Sequence, residues 1–356
     1  MRYDHVGEKA STIAGGRWDN IDMLRAIAIL LVLVFHFTAR QDPSYLGYDH
    51  FPFSLEWGWL GVDIFFAVSG FCIFMSLDSS RDGVHFLAKR MARIQPAYMA
   101  GVVATFLFVG WFGLDGREVD LMTMSANLLW ANAMPGIRHV DGVYWSLVAE
   151  LKFYLFVAIL YQFRHRVPLT LAWLGFCVFG RVLLMAGGKI ELVGHLVFIA
   201  HYAPAFLFGL MAHEWRRLSP TARWSSLAAG LALVATESRY EGLPALMAPA
   251  LMAATVIALF ARGIRIPAWA RFIALISYPL YLVHQNIGWI AMREISPLES
   301  IWLGWAAAIA VTFGLAYIIH LTVENRFRKP MEAAFETLLR RGLRVTRIER
   351  LARARG

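Results

Sequence analysis

The sequence predicts an all-α fold: a polytopic transmembrane bundle of about ten spans with both termini in the cytoplasm. Three observations carry that expectation. The 356 residues are 58% hydrophobic and only 17% charged, whereas soluble domains are nearer half apolar and a quarter charged. The apolar residues fall in blocks of about twenty, the length that crosses a ~30 Å hydrocarbon core at ~1.5 Å per residue. The basic residues crowd alternate connections between those blocks, as the positive-inside rule requires.

In chain order the blocks lie at 21–39, 57–77, 97–113, 143–161, 167–186, 193–212, 224–236, 243–261, 272–292 and 300–321. The seventh is the shortest, and a half-length apolar stretch at 121–134 suits a re-entrant or interfacial piece. Connections after the second, fourth, sixth and eighth blocks hold twelve basic residues against three acids, Asp78, Asp82 and Glu214. Connections after the odd-numbered blocks hold six basic residues against twelve acids. The chain thus divides into a polar cytoplasmic segment, 1–20, a membrane domain, 21–324, and a basic cytoplasmic tail, 325–356. No small-residue cleavage site follows the first apolar block, so that block is expected to anchor the chain rather than be removed. The tail sets Leu and Ile between arginines at helical spacing, the pattern of an amphipathic helix on anionic headgroups. A net charge of +9 spread this way favours a bilayer and disfavours nucleic acid. Cys72 and Cys177 both fall inside apolar blocks, so neither a disulfide framework nor a metal site is expected.

With sidedness set, each polar residue within a block acquires a depth. Ionisable groups there cost ~2.5–3.5 kcal/mol even on the lenient insertion scale, and they usually face the bundle interior with a task. His36, Asp63, Glu150 and His284 come from four different blocks and are placed by counting in the outer half. Arg25 opens the first block at the inner face, while Arg90 and Arg93 lie just before the third, where Pro96 is expected to end their segment. Residues three apart share a helix face, so Arg90 and Arg93 suit a two-pronged anion clamp, and they suit plain topological anchors equally. Asp63 near a helix start also suits backbone capping, Glu150 a structural ion pair, and His284 a hydrogen-bonded core histidine. Ser69 and Gly70 sit near mid-depth, where small residues permit close helix packing.

Arg25 and His36 are eleven residues apart. At ~100° and ~1.5 Å per residue they share one helix face about 16.5 Å apart along the axis, a span of the order of an extended pantetheine arm.

Five motifs in order, "DMLRAIAILLVLVFHF", "GWLGVDIFFAVSGFCI", "KRMARIQPAY", "YWSLVAELKFYL" and "ISYPLYLVHQ", resemble the acyltransferase 3 family of integral-membrane O-acyltransferases. The likeness runs from about residue 20 to 328. It implies transfer of an acyl group, commonly acetyl, from cytoplasmic acyl-CoA to a hydroxyl, often on a carbohydrate of the bacterial cell surface. It therefore implies a multi-pass protein of the bacterial inner membrane with no permanently bound cofactor and acyl-CoA as donor substrate. His36 matches the family's catalytic histidine, and Arg25, Arg90 and Arg93 match its functional arginines. Lys152 stands where many relatives have Gln, and "VENRFRKP" lacks a proline often found close after the glutamate.

The depth pattern suits that chemistry. Donor phosphates favour the inner arginines, and an acceptor hydroxyl needs a base such as His36. Asp63 or Glu150 would orient the imidazole, and Ser69, Trp145 and His284 are expected to border the substrates. A transporter or flippase of a glycan-linked substrate would use the same charged groups. It differs in consuming no acyl-CoA.

Overall fold

The structure is a computed structural model describing residues 18–40, 52–163, 166–261, 263–295 and 300–353, with no side-chain description beyond residue 344. Most of the polar segment 1–20, and Arg164 and Arg262 of the basic connections, lie outside the described residues.

Among the described residues every regular element is helical. α1 (Asp19–Val34) passes into a π-turn at Phe35–Ala39, followed by α2 (Gly61–Asp78), α3 (Gly83–Phe112) and a short α4 (Leu121–Leu128). Next come α5 (Trp145–Leu160), α6 (Leu169–Ala186), α7 (Gly188–Leu196), α8 (Ala203–Glu214) and α9 (Pro220–Ala235). The bundle is completed by α10 (Leu243–Phe260), α11 (Ala268–Val283), α12 (Gln285–Ile295), α13 (Ile301–Ile319) and α14 (Asn325–Arg353). Polar side chains start several of these rods. Asp82 accepts from the His85 amide (2.8 Å) ahead of α3, and Asp120 from the Thr123 amide (2.7 Å) ahead of α4.

The bundle is polytopic as expected, but seven of the described helices, not ten, are long and apolar enough to cross a membrane, with Ala268–Val283 a shorter apolar one. The shortfall has local causes. The block 193–212 is divided between α7 and α8, where Ile199 adopts a left-handed backbone (φ 44°). The block 272–292 is interrupted at His284, whose Nδ1 takes the Tyr281 carbonyl at 2.8 Å. That carbonyl is the one a continuous helix would offer to the Gln285 amide. Pro96 behaves in the opposite way: it sits inside an unbroken 30-residue α3, so Arg90 and Arg93 ride on the same rod as the third span. A hydropathy count sees apolar residues but not where the backbone ladder is cut.

Helix crossings are closest between α2 and α8. A Cβ on Gly209 would lie 1.8 Å from the Ala67 carbonyl oxygen, and one on Gly70 2.3 Å from that of Phe206. Gly70 thus has the packing role expected of a small residue at mid-depth.

Connections segregate by charge to the two ends of the bundle. At the basic end the Tyr161 hydroxyl donates to the Ser80 carbonyl, and Arg271 pairs with Asp19 (2.8 Å). At the acidic end Arg293 donates to the Gly113 and Phe112 carbonyls (both 2.8 Å), and the Asn286 amide donates to Asp141 (3.1 Å). The tail is helical, as its pattern predicts. Its first half is docked along the start of α3, through Arg81–Glu336 (2.7 Å), Arg340–Asp82 (2.7 Å) and His85–Glu332 (3.4 Å).

Candidate active site

Two cavities lie along the bundle, and Val62 and Tyr281 line both. The first, a chamber of about 90 Å³, is bordered by Arg25, Arg90, Arg93, Ser69, Glu150 and Tyr154. The second, a vestibule of about 670 Å³, is bordered by His36, Arg40, Trp59, Arg117, Trp145 and Arg239.

The chamber collects the arginines that sequence spacing brought to one face. Arg90 is buried at 3% exposure, donates from Nη2 to the Cys72 carbonyl and lies 5.4 Å from the Tyr154 ring. Its Nε is buried and has no hydrogen-bond partner among the described residues, a donor in want of an acceptor. Arg93 is one helical turn further on, within electrostatic reach of Glu150 and Glu324. Glu150 Oε1 accepts from Ser69 Oγ and from Tyr154 Oη, both at 2.6 Å. Arg25, Arg90, Arg93, Ser69 and Glu150 thus belong together.

His36 sits in the π-turn that ends α1, a local widening that often marks functional positions. The turn is held from outside. Trp289 Nε1 donates to the His36 carbonyl at 2.8 Å, and Gly288 makes room for the Phe37 ring, which a Cβ there would meet at 2.5 Å.

The imidazole's proton can be located from its partners. Nδ1 lies 2.9 Å from the Val32 carbonyl, which only accepts, so Nδ1 carries the hydrogen. His284 is fixed likewise, with Nδ1 donating to Tyr281 O at 2.8 Å. The bare Nε2 of His284 then faces His36 Nδ1 at 3.2 Å as a second acceptor. His36 is left with a lone pair on Nε2, for which no described residue supplies a hydrogen bond, on a ring that borders the vestibule.

Counting by depth placed His36, Asp63, Glu150 and His284 in one layer; the structure brings together only the two histidines. Asp63 accepts from Arg239 (2.6 Å) and from the Tyr240 hydroxyl (3.0 Å), and it borders neither cavity. On α2 the cavity face is Val62, Phe65, Phe66, Val68, Ser69 and Cys72, and Asp63 stands ~100° from Val62 on the helix. Glu150 lies eight residues beyond Gly142, or ~12 Å down a helix that borders the vestibule at its top and the chamber below. The imidazole therefore has a histidine partner, not the carboxylate expected. Trp145 borders the vestibule, 4.3 Å from the Tyr202 ring.

Arg40, Arg117, Arg239 and Tyr281 were not singled out from sequence. A usable signal existed for three of them: they are basic residues on the acidic side of the charge alternation. Arg239 is held by Asp63 and flanked by Tyr240 (4.3 Å), Tyr202 (4.8 Å) and Trp59 (5.3 Å). Its loop is anchored by buried Glu237, which pairs with Arg181 (2.6 Å) and His201 (2.5 Å).

Comparison with known proteins now bears on this arrangement. The chain is 26% identical over 153 residues to the O-acetyl transferase of Shigella phage Sf6, covering 39% of this chain and 44% of that one. It is 28% identical over 174 residues to nodulation protein 10 of Rhizobium leguminosarum bv. viciae, covering 43% and 47% respectively. The chain spans less than half the length of the curated relatives it matches. No solved structure matches it. The acyltransferase domain of the acyltransferase 3 family matches residues 18–321, which include every residue bordering the chamber and the vestibule. This chain, with its arginine chamber and histidine-bordered vestibule, belongs to the acyltransferase 3 family.

Proposed function

We propose that this protein is an integral-membrane O-acyltransferase that moves an acyl group, acetyl in the simplest case, from cytoplasmic acyl-CoA to a hydroxyl of a carbohydrate acceptor. The observation that carries the reading is the tautomer of His36: its proton is held on Nδ1 by Val32 and His284, leaving Nε2 as a base at the vestibule. Family membership and a relative named O-acetyl transferase support the acetyl choice. Charge alternation supports placing the basic end in the cytoplasm of a bacterial inner membrane, where acyl-CoA is made.

Acyl-CoA enters from the basic end, and Arg25, Arg90 and Arg93 hold its phosphates by charge-assisted hydrogen bonds. The thin pantetheine arm suits a chamber of about 90 Å³ that shares Val62 and Tyr281 with the vestibule. The acceptor occupies the vestibule. His36 Nε2 takes the proton of its hydroxyl while the oxygen attacks the thioester carbonyl carbon. The carbon–sulfur bond then breaks, and the departing thiolate takes the proton back from His36, giving an ester and free CoA. Through this cycle Nδ1–H keeps both acceptors, so the transient imidazolium is stabilised without a neighbouring carboxylate. Ser69 has its hydroxyl committed to Glu150 and takes no acyl group in this scheme.

The test uses the purified full chain in detergent with acetyl-CoA and a panel of sugar acceptors, following free thiol release. Transfer is expected in the wild type. In His36→Ala it falls by about a hundredfold or more, while acetyl-CoA still shields Cys72, which borders the chamber, from a maleimide. A folded His36→Ala protein turning over at the wild-type rate would overturn the role of His36. Absence of acceptor-dependent thiol release across the panel would overturn the transferase reading.

A further inference from the structure

The transfer step creates a negative charge that no group named so far receives. When the acceptor oxygen joins the thioester carbon, the carbonyl π pair moves onto the carbonyl oxygen. Such an oxyanion forms readily only where a hydrogen-bond donor is already in place. The position of that oxygen follows from the two cavities. A thioester reaching out of the chamber and a hydroxyl beside His36 meet at the wall between chamber and vestibule. Among the described residues Val62 and Tyr281 alone border both cavities. Val62 has no side-chain donor, and Tyr281 has a phenol.

That phenol is buried and set in place from several sides. Phe65 meets its ring edge-on at 5.9 Å. The Tyr281 carbonyl accepts from His284 Nδ1 (2.8 Å), and His284 Nε2 in turn accepts from His36 Nδ1 (3.2 Å), so the same residue anchors the partner of the base. The phenol oxygen lies 2.7 Å from Ser146 Oγ and 3.2 Å from the Val143 carbonyl oxygen. Ser146 Oγ lies 3.0 Å from that same carbonyl. Two hydroxyl hydrogens therefore share each other's oxygens and one carbonyl. The short contact needs a hydrogen between the two oxygens, so the chain runs from phenol to serine to carbonyl, or from serine to phenol to carbonyl. In the second order the phenol hydrogen spans 3.2 Å to Val143, beyond the ~2.5–3.0 Å usual for O–H···O bonds. Turning that hydrogen to an incoming oxygen gives up only this long contact. The Ser146 hydrogen stays on the phenol oxygen and strengthens it as a donor. Val143 borders the vestibule and Ser146 the chamber, so the hydroxyl pair lies across the junction itself.

Resting on the acyl-transfer reading, we propose that Tyr281 is a catalytic residue whose phenol donates to the thioester carbonyl oxygen, with Ser146 positioning it. The phenol lends a hydrogen bond and keeps its proton. As the tetrahedral adduct collapses, the electron pair returns to the carbon–oxygen bond, the carbon–sulfur bond breaks, and the thiolate takes its proton from His36. The reacting carbon is thus flanked by the imidazole of the π-turn after α1 and by the phenol of α11.

The experiment reads the carbonyl itself. Acetyl-CoA, unlabelled or isotopically labelled at the carbonyl carbon, is bound to the full chain in detergent without acceptor. The infrared difference between the two isolates the thioester carbonyl stretch. In the wild type the band is expected at lower wavenumber than in free acetyl-CoA. It should return to the free position in Tyr281→Phe and fall between the two in Ser146→Ala. With an acceptor from the panel, Tyr281→Phe should lower kcat by about a hundredfold, the worth of one oxyanion donor, with both KM values held. The variant keeps the ring that packs on Phe65, and retained shielding of Cys72 by acetyl-CoA shows that it is folded. If it fails to fold, the wild-type band decides. An unshifted band in the wild type would overturn the proposal. So would a shift that survives in Tyr281→Phe, or a loss confined to the donor KM, since the phenol would then only bind the donor. A Ser146→Ala band at the wild-type position would remove the positioning role of Ser146. A shift that depends on Tyr281, without thiol release for any acceptor, would leave the carbonyl site standing and remove the transferase reading.

Discussion

The chamber and the vestibule differ in the way a donor and an acceptor differ. The chamber is about 90 Å³ and the vestibule about 670 Å³, although the same helices α2, α5 and α11 border both. In the chamber three arginines face one carboxylate, and Glu150 is already held by Ser69 and Tyr154. In the vestibule a single imidazole with a bare nitrogen stands among aromatic rings. A narrow charged passage suits a linear molecule with a phosphorylated end, and a wide aromatic bowl suits a ring. The wall between them is thin, Val62 and the Tyr281 phenol, whose hydroxyl is tied to Ser146 (2.7 Å). In the proposed mechanism, binding and proton transfer fall at different depths of one bundle, so each can be damaged alone.

The largest separable effect is expected in the chamber. Arg90→Ala or Arg93→Ala should raise the KM for acetyl-CoA by about tenfold to a hundredfold, the worth of one charge-assisted contact at roughly 1.5–3 kcal/mol. The KM for the acceptor should stay where it was. An unchanged donor KM at normal membrane abundance would return both residues to topological anchors and erase the distinction between the cavities.

A smaller effect is expected from His284→Phe, which removes the acceptor at His36 Nδ1 while keeping a ring in the site. Val32 still holds the proton, so kcat should fall by roughly tenfold, the worth of one hydrogen bond at ~1–1.5 kcal/mol, with both KM values held. A change in donor KM instead would mean that His284 supports the chamber and not the base. The smallest effect belongs to Arg25→Lys. Charge survives but the fork is lost, so its donor KM should lie between those of the wild type and Arg25→Ala.

Much of this plan was readable from one dimension because it depends on local periodicity. Blocks of apolar residues set the helices, and charge alternation set which connections share an end. The Arg25–His36 spacing set a rod with a cationic foot and a basic nitrogen near its top. Arg25 borders the chamber and His36, in the π-turn beyond α1, borders the vestibule, and the two cavities share Val62 and Tyr281.

Depth along a rod follows from residue number at ~1.5 Å each, but direction around the rod and the identity of the facing neighbour do not. Asp63 sits near the acidic end as its place in the chain implies, yet it turns toward Arg239, 176 residues away. Glu150 turns toward Ser69, 81 residues away, and not toward the imidazole. His36 finds its partner in His284, 248 residues away, where a side chain has taken a backbone carbonyl and broken the ninth block. Arg40, Arg117 and Arg239 come from three different connections, and only the closing of the bundle makes them one wall. Helix formation is decided by hydrogen bonds within a few residues, so a string of letters carries it. Which faces meet is decided by packing among all the helices at once, fourteen of them among the described residues, through approaches as close as that of Gly209 to the Ala67 carbonyl, and that information exists only in three dimensions.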